Sequence, residues 1–322
     1  MNSILFLDPV FKQQIWGGNK LHTDWGYDIP GNNTGECWAI AAHPNGDGLI
    51  VSGDYNGYTL SKLWIEKPEI FRNVDKNGQI KADKFPLLVK IIDAKDDLSI
   101  QVHPDDKYAN VNENGSLGKT ECWYILDAPK DAKLVVGHNA QNKEELSSMI
   151  NEGLWSELIR EVPVKKGDFI QIDPGTVHAI KGGLQILETQ QNSDITYRVY
   201  DYDRLTDGKP RQLHVKQSID VITVPAKPVK DSIQYVDNLP KNELNELVKC
   251  DYYTVYKMDI EGEFSFNMDK PFMLFSVIEG CGDITIEGEA TVSIKKGDHF
   301  IIPDINKNVK LTGNLSIISS VE

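Results

Sequence analysis

Short runs of alternating hydrophobic and polar residues dominate the sequence, and Gly, Asn, Asp or Pro separates most of them. Alternation places successive side chains on opposite faces of a strand, so these runs predict a protein built mainly of β-sheet. Residues 60–71, 142–160 and 211–221 instead show the spacing of helices, most clearly at Leu146, Met149, Ile150, Leu154 and Leu158. We therefore expect a mainly β fold with a few inserted helices.

Two segments of the chain resemble each other, residues 164–174 and residues 292–303. Each contains Lys-Lys-Gly-Asp followed by an apolar strand that stops at a proline, Pro174 or Pro303. This similarity favours two related β-barrels of the jelly-roll type, although a common turn used twice is the alternative. The polar segment 224–246 would connect them. We expect one lobe over residues 1–230, with its helical insertion at about 142–160, and a second over residues 245–322.

Polar residues occupy one face of a predicted strand where a plain sandwich core would be apolar. Strict alternation over residues 98–103 places Ser99, Gln101 and His103 together on that face. The strand at residues 118–126 likewise places Lys119 and Glu121 on one face. These faces predict a metal site inside a small β-barrel.

The candidate ligands form a mixed nitrogen and oxygen set: Gln101, His103, Glu121 and His178, the last fixed by a Pro-Gly turn. Such a set suits Zn²⁺ with an open position, because structural zinc sites are more often closed by cysteines. One carboxylate leaves the site net positive, so the ion could act as a Lewis acid.

A later segment adds charged side chains to this constellation. Glu188 and Asp194 are candidates for acid or base catalysis. Arg198 and Lys119 are candidates for holding a phosphate or a developing oxyanion.

Taken singly, each candidate also has an ordinary structural explanation. His103 precedes Pro104 and two aspartates, which is typical of a helix start. Arg198 lies among acidic residues that would pair with it in a solvated cluster. Glu36 repeats the Glu-Cys-Trp context of Glu121 without an upstream histidine pair, so we expect it to be structural or peripheral. Spacing predicts no role for His22, His43, His138, His214 or His299.

The second copy of the repeat lacks these groups. Overlaying the copies puts Asn308, or with a one-residue shift Lys307, opposite His178, and nothing replaces His103 or Glu121. We therefore expect the metal in the first lobe alone and a structural role for the second.

The overall charge restricts the partners. A formal net charge of −14 argues against nucleic acid and anionic membranes, because the electrostatic contribution to binding would be repulsive. The start of the chain has no secretory signal pattern, and no apolar stretch is long enough to span a bilayer. Four cysteines without CxxC spacing fit a reducing compartment, so we expect a cytoplasmic protein.

These motifs resemble the type I mannose-6-phosphate isomerases, a cupin family, in their short bacterial form. The resemblance is carried by residues 9–18, 99–104, 119–121 and 174–179, and by the spacing of Glu188, Asp194 and Arg198. It covers residues 1–205 well and the C-terminal lobe more loosely. This chain lacks the large extra helical region of longer members, and its motif around Arg198 differs from theirs.

The resemblance implies two cupin-type lobes and one Zn²⁺ per chain held by Gln101, His103, Glu121 and His178. It also implies Arg198 as the catalytic arginine and Lys119, with Ser99, near the phosphate or the reacting carbons. The substrate would be a small sugar phosphate, and we expect a monomer or a weak homo-oligomer without nucleic-acid or membrane partners.

The expected reaction interconverts mannose 6-phosphate and fructose 6-phosphate through an enediol. It leaves the base open between Glu188, Asp194, a histidine and water held by the metal. Two other functions fit the same residues: a non-haem Fe(II) oxygenase, because two histidines and a carboxylate form a facial triad, and a non-catalytic cupin that binds sugar phosphates or regulates polysaccharide metabolism.

Overall fold

A computed structural model describes residues 3–206, 208–236 and 238–322. In chain order its strands are β1 Leu5–Asp8, β2 Val10–Gly18, β3 Thr34–Ile40, β4 Ala42–His43, β5 Gly46–Asp47, β6 Leu49–Ile50, β7 Leu87–Asp93, β8 Ile100–Val102, β9 Glu121–Asp127, β10 Lys133–His138, β11 Ile159–Pro163, β12 Phe169–Ile172, β13 His178–Ile180, β14 Gln185–Gln191, β15 Tyr197–Tyr200, β16 Leu205–Thr206, β17 Lys209–Pro210, β18 Ile233–Gln234, β19 Asn245–Lys249, β20 Thr254–Met268, β21 Phe272–Ile286, β22 Val292–Lys295, β23 His299–Pro303 and β24 Lys307–Val321. The α-helices are α1 Lys20–Thr23, α2 Leu60–Glu66, α3 Asp106–Asn112, α4 Lys143–Asn151, α5 Trp155–Leu158 and α6 Val215–Val221.

The first lobe consists of two antiparallel sheets that share a core. One sheet has seven strands in the order β18-β12-β9-β14-β7-β3-β2, and the other has five in the order β11-β10-β13-β8-β15. Ile92, Ile125 and Ile186 of the larger sheet pack in one cluster with Leu134 and Ile180 of the smaller. Side chains that point inward from either sheet therefore meet in the space between them.

The second lobe is one large sheet folded over its own core. Its strands β20, β21 and β24 have 15 residues each and pair along their length. Gly262, Gly313 and Gly282 lie opposite one another in this register. A Cβ atom on Gly282 would lie 2.0 Å from the carbonyl oxygen of Thr312, so only glycine permits this close backbone approach.

The prediction of a mainly β fold with a few helices is confirmed, but two short strands pair outside the expected limits of the lobes. Strand β1 pairs with β23, so the start of the chain belongs to the C-terminal sheet and not to the expected first lobe of residues 1–230. Conversely, β18 lies in the predicted connection 224–246 and pairs with β12 of the first lobe. Apolar alternation predicts strands, but it carries no information about which sheet a strand joins.

The predicted helices are shorter than the hydrophobic spacing suggested. The segment 60–71 divides into α2 and a 3₁₀ turn at Pro68–Phe71, because a proline disfavours helical backbone in the residue before it. The segment 142–160 divides at Gly153, which has a φ of +70°, and its last residues form strand β11. The segment 211–221 contains α6, which begins at Val215.

The internal repeat is confirmed at the level of the turn. Gly167 and Gly297 both have a φ of +93°. Asp168 accepts a hydrogen bond from the backbone N–H of Lys165 at 2.8 Å, and Asp298 accepts the same bond from Lys295 at 2.8 Å. We call these two segments the paired turns.

The lobes are joined by buried contacts between side chains. The ring of Phe272 in the second lobe packs against Trp64, Phe71 and Phe85 of the first, with ring centroids 5.4 to 5.8 Å apart. His299 of the second lobe makes a separate contact with the first, in which its Nε2 atom lies 2.8 Å from the hydroxyl oxygen of Tyr27. No helix among the described segments has the length and apolarity that crossing a bilayer would require.

Replacing His299 should reduce the sensitivity of the fold to acid. Burial lowers the pKa of His299 to about 3, whereas an unfolded histidine titrates near 6.5. Between these values the unfolded chain binds a proton that the folded chain does not, so stability falls as the pH falls. This histidine should therefore remove about 2 kcal/mol of stability between about pH 7 and pH 5.

Urea unfolding of the His299→Gln variant at both pH values measures this difference. Between about pH 7 and pH 5, the unfolding free energy of the variant should fall by about 2 kcal/mol less than that of the unmodified protein, whatever the variant's absolute stability. His22→Gln, at an exposed position, is the control and should leave the drop unchanged. Equal drops in His299→Gln and the unmodified protein would contradict the prediction.

Candidate metal centre and substrate pocket

Three buried side chains converge between the two sheets of the first lobe. His103 follows β8, His178 begins β13, and Glu121 begins β9 on the opposite sheet. One ligand atom from each lies within 4.8 Å of the others. The Nε2 atoms of His103 and His178 lie 3.4 Å and 3.3 Å from the carboxylate oxygens of Glu121. The structure thus brings together three of the four predicted ligands.

The backbone fixes both imidazoles so that Nε2 faces this cluster. The Nδ1 atom of His103 lies 2.8 Å from the carbonyl oxygen of Ile195, and that of His178 lies 2.9 Å from the carbonyl oxygen of Thr176. Because a carbonyl can only accept, each Nδ1 carries the proton and leaves an Nε2 lone pair free. The Nε2 atom of His103 is buried and has no hydrogen-bond partner. A divalent cation fits this arrangement, since metal-binding histidines are usually oriented in this way.

The fourth predicted ligand lies beside the cluster. Gln101 pairs directly with His178 across β8 and β13, and its Nε2 atom lies 3.2 Å from the His178 Nε2. Half a turn of the amide group would bring its oxygen to this side. Ser99, which we expected near the substrate, donates a hydrogen bond to the Gln101 Oε1 at 3.4 Å and so holds the amide.

Burial and charge set the protonation of the cluster. Burial, together with the charge of Lys119, lowers the pKa of His103 to about 3. Burial alone would raise the pKa of Glu121, but the charge of Lys119 holds it well below its usual range. Both histidines are therefore neutral and Glu121 is ionised at neutral pH, which is the state that binds metals.

Lys119 links the cluster to a second carboxylate. Its Nζ lies 2.9 Å from Glu121 and 3.7 Å from Glu188. Burial opposes its charge, but these carboxylates raise the pKa of Lys119 above its ordinary value. Glu188 also faces Lys90, whose Nζ lies 3.4 Å away, and it accepts a hydrogen bond from Trp123 Nε1 at 3.1 Å. Burial raises the pKa of Glu188.

Two arginines lie on the other side of the pocket. Arg198 pairs with Gln101 across β15 and β8, and its Nη1 donates to the carbonyl oxygen of Gln212 at 2.8 Å. Its Nε is buried without a hydrogen-bond partner. Burial and the neighbouring Arg211 lower the pKa of Arg198. Arg211 is held by Asp201, to which it donates two hydrogen bonds of 2.7 Å and 2.5 Å.

Asp194 lies at the edge of this pocket. It accepts a hydrogen bond from the side chain of Asn45 and faces His43 at 3.5 Å. It therefore lines the pocket as expected, although His43 and Asn45 engage its carboxylate from the side of an adjacent cavity.

Together these groups enclose a cavity of about 340 Å³. Apart from the three residues of the buried cluster, every predicted site residue lines this cavity: Ser99, Gln101, Lys119, Glu188, Asp194 and Arg198. Glu36, which we expected to be structural or peripheral, is not peripheral, because it lines the same cavity; it also accepts a hydrogen bond of 2.6 Å from Trp38 Nε1. Strand β3 lies next to β7 in the larger sheet, which turns Glu36 inward.

Sequence reasoning also missed Lys90 and Arg211. Lys90 lies within the apolar strand β7, where its side chain is only 5 % exposed. A lysine in the middle of such an apolar run is a signal that the sequence offered, because lysine is rarely buried without a specific role or partner. Arg211 precedes α6 in a loop, and no local pattern connects it to Arg198.

A two-lobed β protein with a buried His/Glu/His cluster beside a cation-lined cavity is, by class, a cupin with a candidate metal centre. Family models agree on this class and refine it. Residues 4–126 match the catalytic domain of type I phosphomannose isomerases, and residues 243–322 match the cupin domain of mannose-6-phosphate isomerases.

Individual relatives match nearly the whole chain. A mannose-6-phosphate isomerase of Bacillus subtilis is 51 % identical over 317 residues, covering 98 % of both chains. One from Streptococcus mutans is 47 % identical, covering 98 % of this chain and 97 % of the relative. The crystal structure of the mannose 6-phosphate isomerase from B. subtilis superposes with a TM-score of 0.90 at 45 % identity, covering both chains completely. The chain belongs to the type I mannose-6-phosphate isomerase family.

Proposed function

We propose that this protein interconverts mannose 6-phosphate and fructose 6-phosphate by proton transfer through an enediol, with Zn²⁺ as its cofactor. The observation that carries the proposal is the position of the buried His103/Glu121/His178 cluster directly behind a cavity. Gln101, Lys119 and Arg198 line that cavity, and the Nε atom of Arg198 has no hydrogen-bond partner. An aldose-ketose isomerase needs both groups, because charge develops on two adjacent sugar oxygens while a phosphate is held nearby.

The donor set fits zinc. His103, His178, Glu121 and the amide oxygen of Gln101 would hold the ion, as nitrogen and oxygen ligands with no thiolate. Zn²⁺ at this position supplies a Lewis acid for the carbonyl end of the open-chain sugar. The chain's own residues then bind, orient and transfer protons around it.

The two arginines bind opposite ends of the substrate. Arg198 lies next to Gln101 in the strand register, so we assign it to the oxygens on C1 and C2. Arg211 keeps Nη1 free of hydrogen bonds among the described residues, and Asp201 fixes its orientation. We assign Arg211 to the phosphate, which guanidinium groups bind with charge-assisted hydrogen bonds.

Glu188 is our choice for the group that moves the carbon-bound proton. Its Oε1 atom is buried without a hydrogen bond and lies between Lys90 and Lys119. In the aldose-to-ketose direction it takes the proton from C2 while O1 gains one, which gives the enediol. It then returns a proton to C1 as O2 loses its own. Asp194 is the weaker candidate, because Asn45 and His43 already engage its carboxylate.

A coupled assay that follows fructose 6-phosphate formation from mannose 6-phosphate tests the proposal on the metal-loaded protein. We expect turnover that a chelator abolishes and zinc restores. Substrate binding without turnover in the metal-replete protein would contradict the proposal in favour of a binding cupin. Oxygen-dependent turnover with iron would contradict it in favour of an oxygenase. The four cysteines are free thiols, which supports the further proposal of a reducing, cytoplasmic setting.

Arg211→Ala should weaken substrate binding with little effect on the chemical step. Loss of a charge-assisted hydrogen bond to phosphate should raise KM about 10- to 100-fold and leave kcat within about threefold. Arg204→Ala is the matched control, since Arg204 also donates to Asp201 but does not line the cavity. Steady-state kinetics distinguish them. Equal KM values for the two variants would exclude Arg211 as the phosphate anchor.

A further inference from the structure

A further cavity lies on the opposite face of the catalytic sheet, between the two lobes. It has a volume of about 360 Å³. Strand β9 presents Glu121 and Trp123 to the catalytic side, where they contact His178 and Glu188, and Tyr124 to this cavity. Strand β14 presents Glu188 to the catalytic side and Gln185 to this cavity. Alternation along two strands thus builds two separate cavities from one sheet. We call this one the interlobe cavity.

The paired turns meet at this cavity. Lys166 of the first turn and Lys296 of the second occupy the same position in the repeat, and both line the interlobe cavity. Lys257 of β20 adds a third ammonium group. The repeat, which the catalytic site does not use, therefore places cations from both lobes around one space.

The carboxylates around the cavity already have partners. Asp127 faces Lys20 at 2.8 Å, Asp259 pairs with Lys257 and accepts from Ser316, and Glu279 pairs with Lys166. The fourth, Asp24, accepts a hydrogen bond of 2.7 Å from the hydroxyl of Thr23. The side chains of Lys166 and Glu279 are 57 % and 56 % exposed, so the ion pair between them is weak and readily exchanged.

Two hydrogen-bond donors that line the cavity, by contrast, have no acceptor. Gln185 is 3 % exposed, and its oxygen accepts a hydrogen bond of 3.0 Å from Trp25 Nε1 while its Nε2 has no partner. Lys296 lies 4.5 Å from the centre of the Trp25 ring and has no ion pair within the described part of the chain. An amide N–H and an ammonium that both lack acceptors call for an oxyanion.

We propose that the interlobe cavity is a second ligand site, for a phosphorylated polyol the size of a hexose phosphate. The phosphate would accept hydrogen bonds from Gln185 Nε2 and Lys296, with Lys166 exchanging Glu279 for it. The polyol hydroxyls would donate to the carboxylates of Asp259 and Asp127. The volume supports this size, because the catalytic cavity that we assign to a hexose phosphate is nearly as large.

Isothermal titration of the metal-loaded protein with glucitol 6-phosphate tests the proposal. This alditol phosphate has no carbonyl group, so it is not isomerised and its binding can be counted at equilibrium. We expect two molecules per chain in the unmodified protein. Arg211→Ala should weaken one of them and leave the other, which separates the interlobe site from the catalytic pocket.

Two variants address the interlobe site directly. Gln185→Glu keeps an oxygen acceptor for Trp25 but replaces the free donor with a negative charge, and Lys296→Gln removes the unpaired ammonium. Each should weaken the second molecule about tenfold or more while kcat and KM for mannose 6-phosphate stay within about twofold. Lys249→Gln, an exposed lysine of β19, is the control and should retain both sites.

The outcomes distinguish the proposal from its failure. If Gln185→Glu does not fold, as judged by thermal unfolding, Lys296→Gln alone decides. A single molecule per chain in the unmodified protein would overturn the site, and so would two molecules with unchanged affinity in Lys296→Gln. Unphosphorylated glucitol that binds the interlobe site as tightly as its phosphate would overturn the assignment to an anion.

Discussion

Arg198→Ala should lower kcat for isomerisation by about 10²- to 10³-fold, which is the effect of removing one preorganised donor from an oxyanion site. Arg198 lies beside the metal cluster in the strand register, anchored by Gln212 and with a buried Nε that has no partner. The guanidinium of Arg198 is therefore already positioned, before the reaction begins, to stabilise the negative charge that develops on the sugar oxygens in the transition state. The loss should therefore fall on kcat more than on KM.

The same variant should leave the rest of the protein unchanged. Arg198 does not belong to the His103/Glu121/His178 cluster, so zinc content and melting temperature should equal those of the unmodified protein. Arg198→Lys is the graded control, because lysine keeps the charge but loses the planar fork, and it should recover part of the activity. Full activity in Arg198→Ala, with normal metal content, would remove this residue from the catalytic assignment.

The parts of the candidate site that depend on residues close together in the sequence could be predicted. Alternation alone placed Ser99, Gln101 and His103 on one face of a strand. In the structure His103 belongs to the His103/Glu121/His178 cluster, and Ser99 and Gln101 lie beside it. His103 also shows that a helix start and a candidate ligand can occupy the same short segment, because Asp105 caps helix α3 two residues later. Backbone that is fixed by a helix start is a suitable position for a ligand.

The rest of the site depends on which strands become neighbours. Glu36 and Lys90 reach the pocket because β3 and β7 lie side by side in the larger sheet, and Arg211 reaches it because Asp201 turns its side chain. These contacts join residues far apart in sequence, and hydrophobic alternation does not encode them. For the same reason β1 could be predicted as a strand but not assigned to the second lobe.

Metal removal is the second large effect that we expect, and the chain supplies its own matched pair of glutamates. Glu121 of β9 and Glu36 of β3 both stand in a Glu-Cys-Trp sequence on the same sheet, and both are near the pocket. Only Glu121 faces the histidines. Glu121→Gln removes the one anion of the ligand set, so zinc affinity should fall by more than about 100-fold, beyond the effect of losing an outer partner.

Metal analysis, activity and thermal unfolding together measure this effect. The unmodified protein and Glu36→Gln should each bind one zinc ion per chain. Zinc should raise the melting temperature of both, because a ligand that binds only the folded state stabilises it. Glu121→Gln should bind far less zinc, lose activity and show no such rise. Chelation of the unmodified protein should abolish activity reversibly. A Glu121→Gln protein that retains stoichiometric zinc would refute the metal centre, whereas loss of zinc in Glu36→Gln would show that the ligand set extends to β3.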